Sequence, residues 1–317
     1  MTDTLLLVDG NNLAYRCKFV FSLSNRGQDV SVTYGFLRVL ESLIKKNKPS
    51  AIIVAWDGKV PKYRRQLIPE YKANRHVDED PDERADFIRQ MDELHTYALP
   101  RMGILSVRKS YIEADDLLYH ASVISLHEKN VIVTSDKDLL QALSEKTLVY
   151  SPIKDKYYNI SNFEEEYGMP VSKYVWWKSL QGDGSDNVPG VHGIGGVTST
   201  RLLNKFPSVE VMFEEIENGN FDTKIALVIK EFGYERLVNN YKVMDLKLDR
   251  YGARCALLEE LKFYKRCNKD IIKKYFLRSA FTSLLDALPG SLTCLDVPKF
   301  DQLTIRYPVV IGERRSY

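Results

Sequence analysis

Nine acidic residues stand where the sequence predicts strand ends or helix starts. Three short runs rich in Leu, Ile and Val each finish on aspartate: LLLVDG (5–10), AIIVAWDG (51–58) and VIVTSDKD (131–138). They read as buried parallel strands with Asp9, Asp57, Asp136 and Asp138 at their carboxyl ends, where open α/β sheets bind ligands. The segment IEADD (112–116) adds Glu113, Asp115 and Asp116 at a helix start, and QGDGSDNVPG (181–190) adds Asp183 and Asp186. Crowded carboxylates raise one another's pKa and stay ionised only with cations among them. Oxygen-only ligation without His or Cys selects hard divalent ions, Mg²⁺ or Mn²⁺. Two such ions about 3.5–4 Å apart could generate a hydroxide and clamp both oxygens of an in-line phosphoryl displacement. The reaction class is then phosphodiester hydrolysis. A single Asp after a strand is also a common turn former or helix N-cap, and Asp116 and Asp138 fit that alternative, capping or orienting a neighbour.

The charge distribution agrees. The chain has 45 basic and 43 acidic residues, for a net charge of +2. Setting the nine acids aside leaves 34 against 45 bases, so a concentrated acidic site sits in a basic protein. Bases gather at 64–75 and again at 262–278. Within RRQLIPEYKANR, the bases Arg64, Arg65, Lys72 and Arg75 are candidate phosphate contacts and Tyr71 a stacking face for a base. The alternative is a solvated loop with Tyr71 packed on the domain.

The elements that must position these groups follow from periodicity. Apolar residues recur every three or four positions at 34–45 and 114–127, so strands alternate with helices and an α/β sheet is expected. A further strand is expected at 104–107. The excursion between Asp57 and Ile104 holds a helix near 82–99, with Asp80 as N-cap and Pro81 at the first position. From about residue 166 the pattern turns helical. Residues 188–206 (VPGVHGIGGVTSTRLLNKF) read as a helix-hairpin-helix, in which a turn with Gly190, Gly193, Gly195 and Gly196 presents backbone N–H groups at the start of a helix carrying Thr198 and Ser199. That is an anion site suited to phosphate without base readout. The expected domains are a nuclease-like core at 1–165 with the excursion at about 60–100, a helical DNA-binding domain at 166–285, and a tail at 286–317 of unassigned role.

Several classes are excluded. The longest uninterrupted apolar run, Ala51–Trp56, is six residues, against about 20 for a membrane span. The start MTDT lacks a signal peptide's basic region, and four scattered cysteines suggest neither disulfides nor zinc. An intracellular protein is expected. No Walker A, dinucleotide-binding or EF-hand spacing occurs. Two competing readings stay open: a nucleic-acid-binding factor with a vestigial site, and a small-molecule phosphatase of the D-x-D type, which would leave the glycine hairpin and the basic run unexplained.

Taken together, VDGNNLAYR (8–16), WDGK (56–59), YRRQLIPEYKANR (63–75), IEADD (112–116), TSDKDLLQ (134–141) and QGDGSDNVPGVHGIGGVT (181–198) resemble the 5′ nuclease family, the phage flap endonucleases and the 5′→3′ exonuclease domain of bacterial DNA polymerase I. The resemblance spans roughly 4–280. It implies a PIN-like nuclease core with a mostly parallel sheet, a helical arch after Asp57, and a C-terminal helical domain. It implies cleavage at 5′ flaps, nicks and gaps in DNA, often with removal of RNA primers from RNA–DNA hybrids, during replication and repair. All nine acids would surround two metal ions. Arg64, Tyr71, Lys72 and Arg75 would act at the scissile region. The hairpin would grip duplex DNA and hold K⁺ on the carbonyls of Pro189, Val191 and Ile194. A free-standing cytoplasmic monomer is implied, of bacterial or phage type, with a polymerase, clamp or single-strand-binding protein as candidate partners of the tail.

Overall fold

The computed structural model describes residues 3–75, 79–221, 223–249, 252–287 and 298–300. The chain starts with β1 (Thr4–Asp9), α1 (Gly10–Val20), a hairpin of β2 (Ser24–Asn25) and β3 (Gln28–Asp29), and α2 (Ser31–Asn47). Next, β4 (Ala51–Trp56) and α3 (Lys62–Leu67) lead to α4 (Pro81–Glu93), which continues through a π-turn (Leu94–Ala98) into α5 (Leu99–Arg101). The sheet is completed by β5 (Leu105–Arg108), α6 (Ala114–Ile124), β6 (Lys129–Val133), a 3-10 turn (Lys137–Ala142), β7 (Thr147–Ser151) and β8 (Lys156–Tyr158). Helices follow: α7 (Ile160–Tyr167), α8 (Tyr174–Gln181), α9 (Gly196–Lys205), α10 (Val209–Glu217), α11 (Lys224–Phe232), α12 (Tyr234–Met244), α13 (Ala253–Lys262) and α14 (Lys269–Arg278).

The six sheet strands run in the order β5-β4-β1-β6-β7-β8, all parallel except β8 against β7. The chain leaves β1 for β4 and β5 on one side and returns to place β6 on the other. The gap between β1 and β6 is therefore a topological switch point, and Asp9 stands at its mouth. Both faces of β1 are covered, which explains an apolar run without alternation. Leu5 and Leu7 pack with α6 and the C-terminal helices, while Leu6 and Val8 pack with α1, α2, the α4–α5 region and α14. Gly10 sets the approach of α1 to β4, since a Cβ there would lie 2.7 Å from the Trp56 ring and 2.8 Å from the Ala55 carbonyl.

The mostly parallel sheet flanked by helices is the expected architecture. Asp80 caps α4 as the sequence suggests, its side chain accepting from the N–H groups of Asp82 and Glu83, with Pro81 at the first position. One placement departs from expectation. α14 falls within the span read as the DNA-binding domain, yet Ile272, Tyr275 and Phe276 pack into the core of the sheet's α1–α2 face. Its amphipathic period was legible, but its partner was not. Of the tail, residues 298–300 return beside the end of α6, with the Leu126 N–H donating to the Lys299 carbonyl at 3.0 Å and Phe300 buried; residues 288–297 and 301–317 lie outside the described residues. Among the described residues no helix is long and apolar enough to cross a membrane.

Because Phe276 is fully buried in that core, Phe276→Ala is expected to cost about 3–5 kcal/mol. Urea unfolding checks this as a lowered midpoint; a loss below about 1 kcal/mol, the scale of a surface change, would mean that α14 is not integral to the fold.

Candidate metal centre and nucleic-acid interface

The acids are fixed by the same turns that end the strands. Asp9 N-caps α1, accepting from the Asn12 N–H at 2.9 Å, while its other oxygen accepts from the Thr134 hydroxyl at 2.9 Å. Asp57 accepts from the Ala114 N–H at 2.9 Å, and its own N–H donates to the Asn11 side chain at 2.9 Å. Asp136 caps the 3-10 turn, accepting from the Asp138 N–H at 2.9 Å. The capping alternative is thus real for these residues, and the caps also hold one end of each carboxylate in place. Burial pushes Asp9 up to about 7, with the charges of Asp57 and Asp136 adding to it. Burial likewise raises Asp57, Asp115 and Asp136; for Asp115 the repulsion of Asp136, Asp9 and Asp57 adds to it.

Cations from the basic run and from α8 balance part of this charge. Arg64 is buried and binds Asp116 through two bonds of 3.0 and 2.9 Å; it also donates to Glu113, and to the Val243 carbonyl at 2.9 Å. The Lys72 ammonium bonds Glu113 and lies 3.6 Å from Asp186. Arg75 holds Asp186 at 2.5 Å. Although burial would raise it, Glu113 is pulled down to about 2 by Arg64 and Lys72, with Tyr71 donating at 3.0 Å. Lys72 adopts a φ of +54°, a conformation that costs a non-glycine residue of order 1 kcal/mol or more and clusters at functional sites.

The structure revises parts of the sequence reading. The Tyr71 ring is packed with Val175, Val188, Val243 and Met244 and is 4% exposed, so it presents no stacking face to a base. Arg64 is closed off by Asp116 and Glu113 rather than open to phosphate. Asp116 turns both oxygens to Arg64, the orienting role its alternative allowed. Ser199 is fully buried and bonds back to the Gly195 carbonyl at 3.1 Å, so its hydroxyl faces away from solvent. Lys178 was missed: from α8 it bridges Asp138 and Asp183, the latter at 2.9 Å. A lone Lys in WWKSLQ carries no signal, since its partner Asp138 is distant in sequence. Residues 76–78 of the excursion lie outside the described residues.

The glycine-rich segment joins α8 to α9 across the site. Its two limbs touch so closely that a Cβ on Gly190 would lie 1.9 Å from the Gln181 carbonyl. Asp183 and Val188 pair as an antiparallel bridge, turning Asp183 and Asp186 back toward Lys178, Lys72 and Arg75. Gly195 precedes α9 without any side-chain cap, and Gly193 and Gly195 are exposed with Thr198 partly so. Uncapped N–H groups at a helix start suit a phosphate. Of the three carbonyls assigned to K⁺, that of Pro189 accepts from Asn240 at 2.6 Å and that of Val191 from the Ile194 N–H at 3.1 Å.

Among the described residues no three His, Cys, Asp or Glu side chains already converge as a ready metal site. The donor set nevertheless fits a hard cation: buried Asp9 and half-buried Asp57, Asp115 and Asp136 bear raised pKa values, and two ammonium groups, Lys72 and Lys178, lie among the neighbouring carboxylates. Oxygen donors with unmet negative charge suit a hard divalent cation.

Two outcomes follow. Arg64→Met leaves two buried carboxylates without their main partner and is expected to destabilise the protein by about 3–5 kcal/mol; denaturant unfolding within about 1 kcal/mol of wild type would contradict the pairing. The second concerns pH. The folded pKa values of Asp9, Asp57, Asp115 and Asp136 exceed the ordinary 3.8, so between that value and about 7 the folded chain binds more protons than the unfolded one. Stability without metal therefore falls as pH rises through this window. Melting curves in chelator should show the fall between about pH 5 and about pH 7.5, and Mg²⁺ should reduce it; flat curves in both would refute the repulsion.

Comparison with known proteins places the chain in a family. Residues 4–168 match the 5′-3′ exonuclease N-terminal resolvase-like domain, and residues 169–256 the 5′-3′ exonuclease C-terminal SAM fold. A 5′-3′ exonuclease of Aquifex aeolicus is 31% identical over 289 residues, 89% of this chain and 94% of that one. DNA polymerase I of Bacillus subtilis is 32% identical over 295 residues, and the thermostable DNA polymerase I of Thermus filiformis 36% identical over 216. The matched regions cover 90% and 67% of this chain but 32% and 25% of those polymerases, so the chain spans a third or less of their length. In fold, T5 5′-exonuclease with bound zinc ions superposes with a TM-score of 0.67 at 21% identity, covering 90% of this chain and 99% of that one. The catalytic core of Rad2 in complex with DNA substrate has a TM-score of 0.53 at 18% identity, covering 90% and 91%. With its family models matched from residue 4 to residue 256, the chain belongs to the 5′-3′ exonuclease family.

Proposed function

We propose that the protein is a structure-specific 5′ nuclease that hydrolyses phosphodiester bonds at 5′ flaps and at the 5′ ends of nicked or gapped DNA, and removes RNA primers, in replication and repair. The observation that carries the reading is the carboxylate cluster at the sheet's switch point, with cations among it and an uncapped helix start following the segment that carries Asp183 and Asp186. Asp9, Asp57, Asp115, Asp136 and the neighbouring acids would hold two Mg²⁺ or Mn²⁺ ions, which supply Lewis-acid polarisation of the phosphate and an activated water when bound. Family membership and the metal- and DNA-bound neighbours support the assignment.

The chain's own groups divide the remaining work. Lys72 and Arg75, now paired with Glu113 and Asp186, can exchange those carboxylates for the scissile phosphate as cations neutralise the cluster. Arg64 and Asp116 hold Glu113 in place from behind. The α9 amides take the backbone of duplex DNA without reading its sequence, so binding should weaken steeply with salt.

Single-turnover cleavage of a 5′-labelled flap duplex tests this. Wild-type protein with Mg²⁺ is expected to release a short labelled product near the junction, while chelator or Asp136→Asn removes cleavage and largely spares binding. Tight binding with no cleavage under any divalent ion would instead favour a binding factor, and release of phosphate from free nucleotides without cutting of DNA would favour a phosphatase.

A further inference from the structure

One aromatic residue at the edge of the carboxylate site is strained, exposed and unused by the reading above. Tyr111 stands in the turn between β5 and α6, two residues before Glu113, and is 39% exposed. The Ile112 N–H closes this turn on the Lys109 carbonyl at 3.2 Å, and Tyr111, the third residue of the turn, adopts a φ of +64°. Glycine takes such a position without steric cost, whereas a bulky side chain there is held under strain. Packing does not offset it, since the ring belongs to none of the apolar cores. Backbone strain of this kind clusters at ligand sites.

The turn is pressed onto the end of β4. The Gly58 N–H donates to the Ile112 carbonyl at 2.9 Å, and a Cβ on Gly58 would lie 2.0 Å from the Lys109 carbonyl. Tyr111 is thereby fixed beside Asp57, with the Lys62 ammonium, at the start of α3, 5.1 Å from its ring centroid. Lys59, Lys62 and Arg65 are all exposed, and among the described residues none of the three enters a salt bridge. This lip offers a ring to a base and unpaired positive charge to phosphates, the combination that holds single-stranded nucleic acid. Duplex DNA fits it less well, because paired bases are stacked on one another and show no face to a ring.

Position says which strand arrives there. In the sheet order, the turn after β5 and the start of α3 after β4 lie on one side of β1, whereas Asp138, after β6, lies on the other with its partner Lys178 of α8. From α8 the chain runs through Asp183 and Asp186 into α9. A strand that leaves a duplex held at α9 and passes the carboxylates is therefore carried toward Tyr111.

We infer that Tyr111, with Lys59 and Lys62, receives the unpaired 5′ strand of a flapped DNA, the ring stacking on a flap base and the lysines taking flap phosphates. The inference rests on the nuclease reading for its substrate, but its test is binding in chelator, without cleavage. Tyr111→Gly removes the ring and suits the backbone, so its melting temperature should not fall below that of wild type. Its affinity for a nicked duplex bearing a 5′ flap is expected to fall at least about fivefold, the loss of one stacked base, while affinity for the same duplex without the flap stays unchanged. Tyr111→Phe keeps the ring and should bind the flap as wild type does. A fluorescent adenine analogue moved along the flap should be quenched at one position by wild type and by Tyr111→Phe, and at none by Tyr111→Gly. Lys59→Gln/Lys62→Gln should shrink the slope of log affinity against log salt by about 1, on flapped DNA alone. Unaltered flap affinity in Tyr111→Gly would overturn the inference, as would an equal loss on DNA without a flap, which marks a duplex contact. A loss in Tyr111→Phe as large as in Tyr111→Gly would overturn the stacking, and an unchanged slope the part of the lysines. Failure of wild-type protein to cut the flap, with these binding differences present, would count against the nuclease reading alone.

Discussion

The structure depends on keeping several carboxylates buried together at one end of a parallel sheet. Burial and mutual repulsion raise four of them, Asp9 as far as about 7, so the crevice holds unfavourable charge that the neighbouring cations only partly offset. The fold tolerates this because the cost is spread over fixed hydrogen bonds. Thr134 and the Asn12 amide hold Asp9, the Ala114 amide holds Asp57, and the Asp138 amide holds Asp136. Each bond favours the ionised form, so the cluster remains ready for cations without collapsing.

The surrounding basic groups follow from that constraint. Arg64 sits behind the cluster as a buried partner for Asp116 and Glu113, while Lys72, Arg75 and Lys178 sit at its edges. A guanidinium suits the inner position, with its fixed fork and permanent charge. The ammonium groups of Lys72 and Lys178, on flexible stems, suit positions where a partner must be exchanged. The strained backbone at Lys72 belongs to the same economy, since its amide is anchored on the Asp186 carbonyl at 3.0 Å and the side chain is turned inward.

Much of this was legible in the sequence. Runs such as LLLVDG and AIIVAWDG announce strands covered on both faces, and a strand that ends on Asp at a switch point puts a carboxylate into the crevice. Helix starts were equally legible, as Asp80 and Pro81 show. What the sequence does not carry is which way a side chain turns. Arg64 and Tyr71 have the types of phosphate and base contacts, but the unmet charge of Glu113 and Asp116 draws them inward. Ser199 lies one helical step from partly exposed Thr198 and is buried. Lys178 became visible only when tertiary folding brought α8 beside Asp138, and α14 when its apolar stripe met the core of the α1–α2 face.

The most direct test of the account is an equilibrium titration of the purified protein with Mn²⁺ near neutral pH, counting bound ions and released protons together. The account predicts two ions per chain with protons released as they bind, because raised carboxyls such as Asp9 are partly protonated without metal. No saturable binding, or binding without proton release, would contradict the claim that the buried carboxylates form a divalent-ion centre.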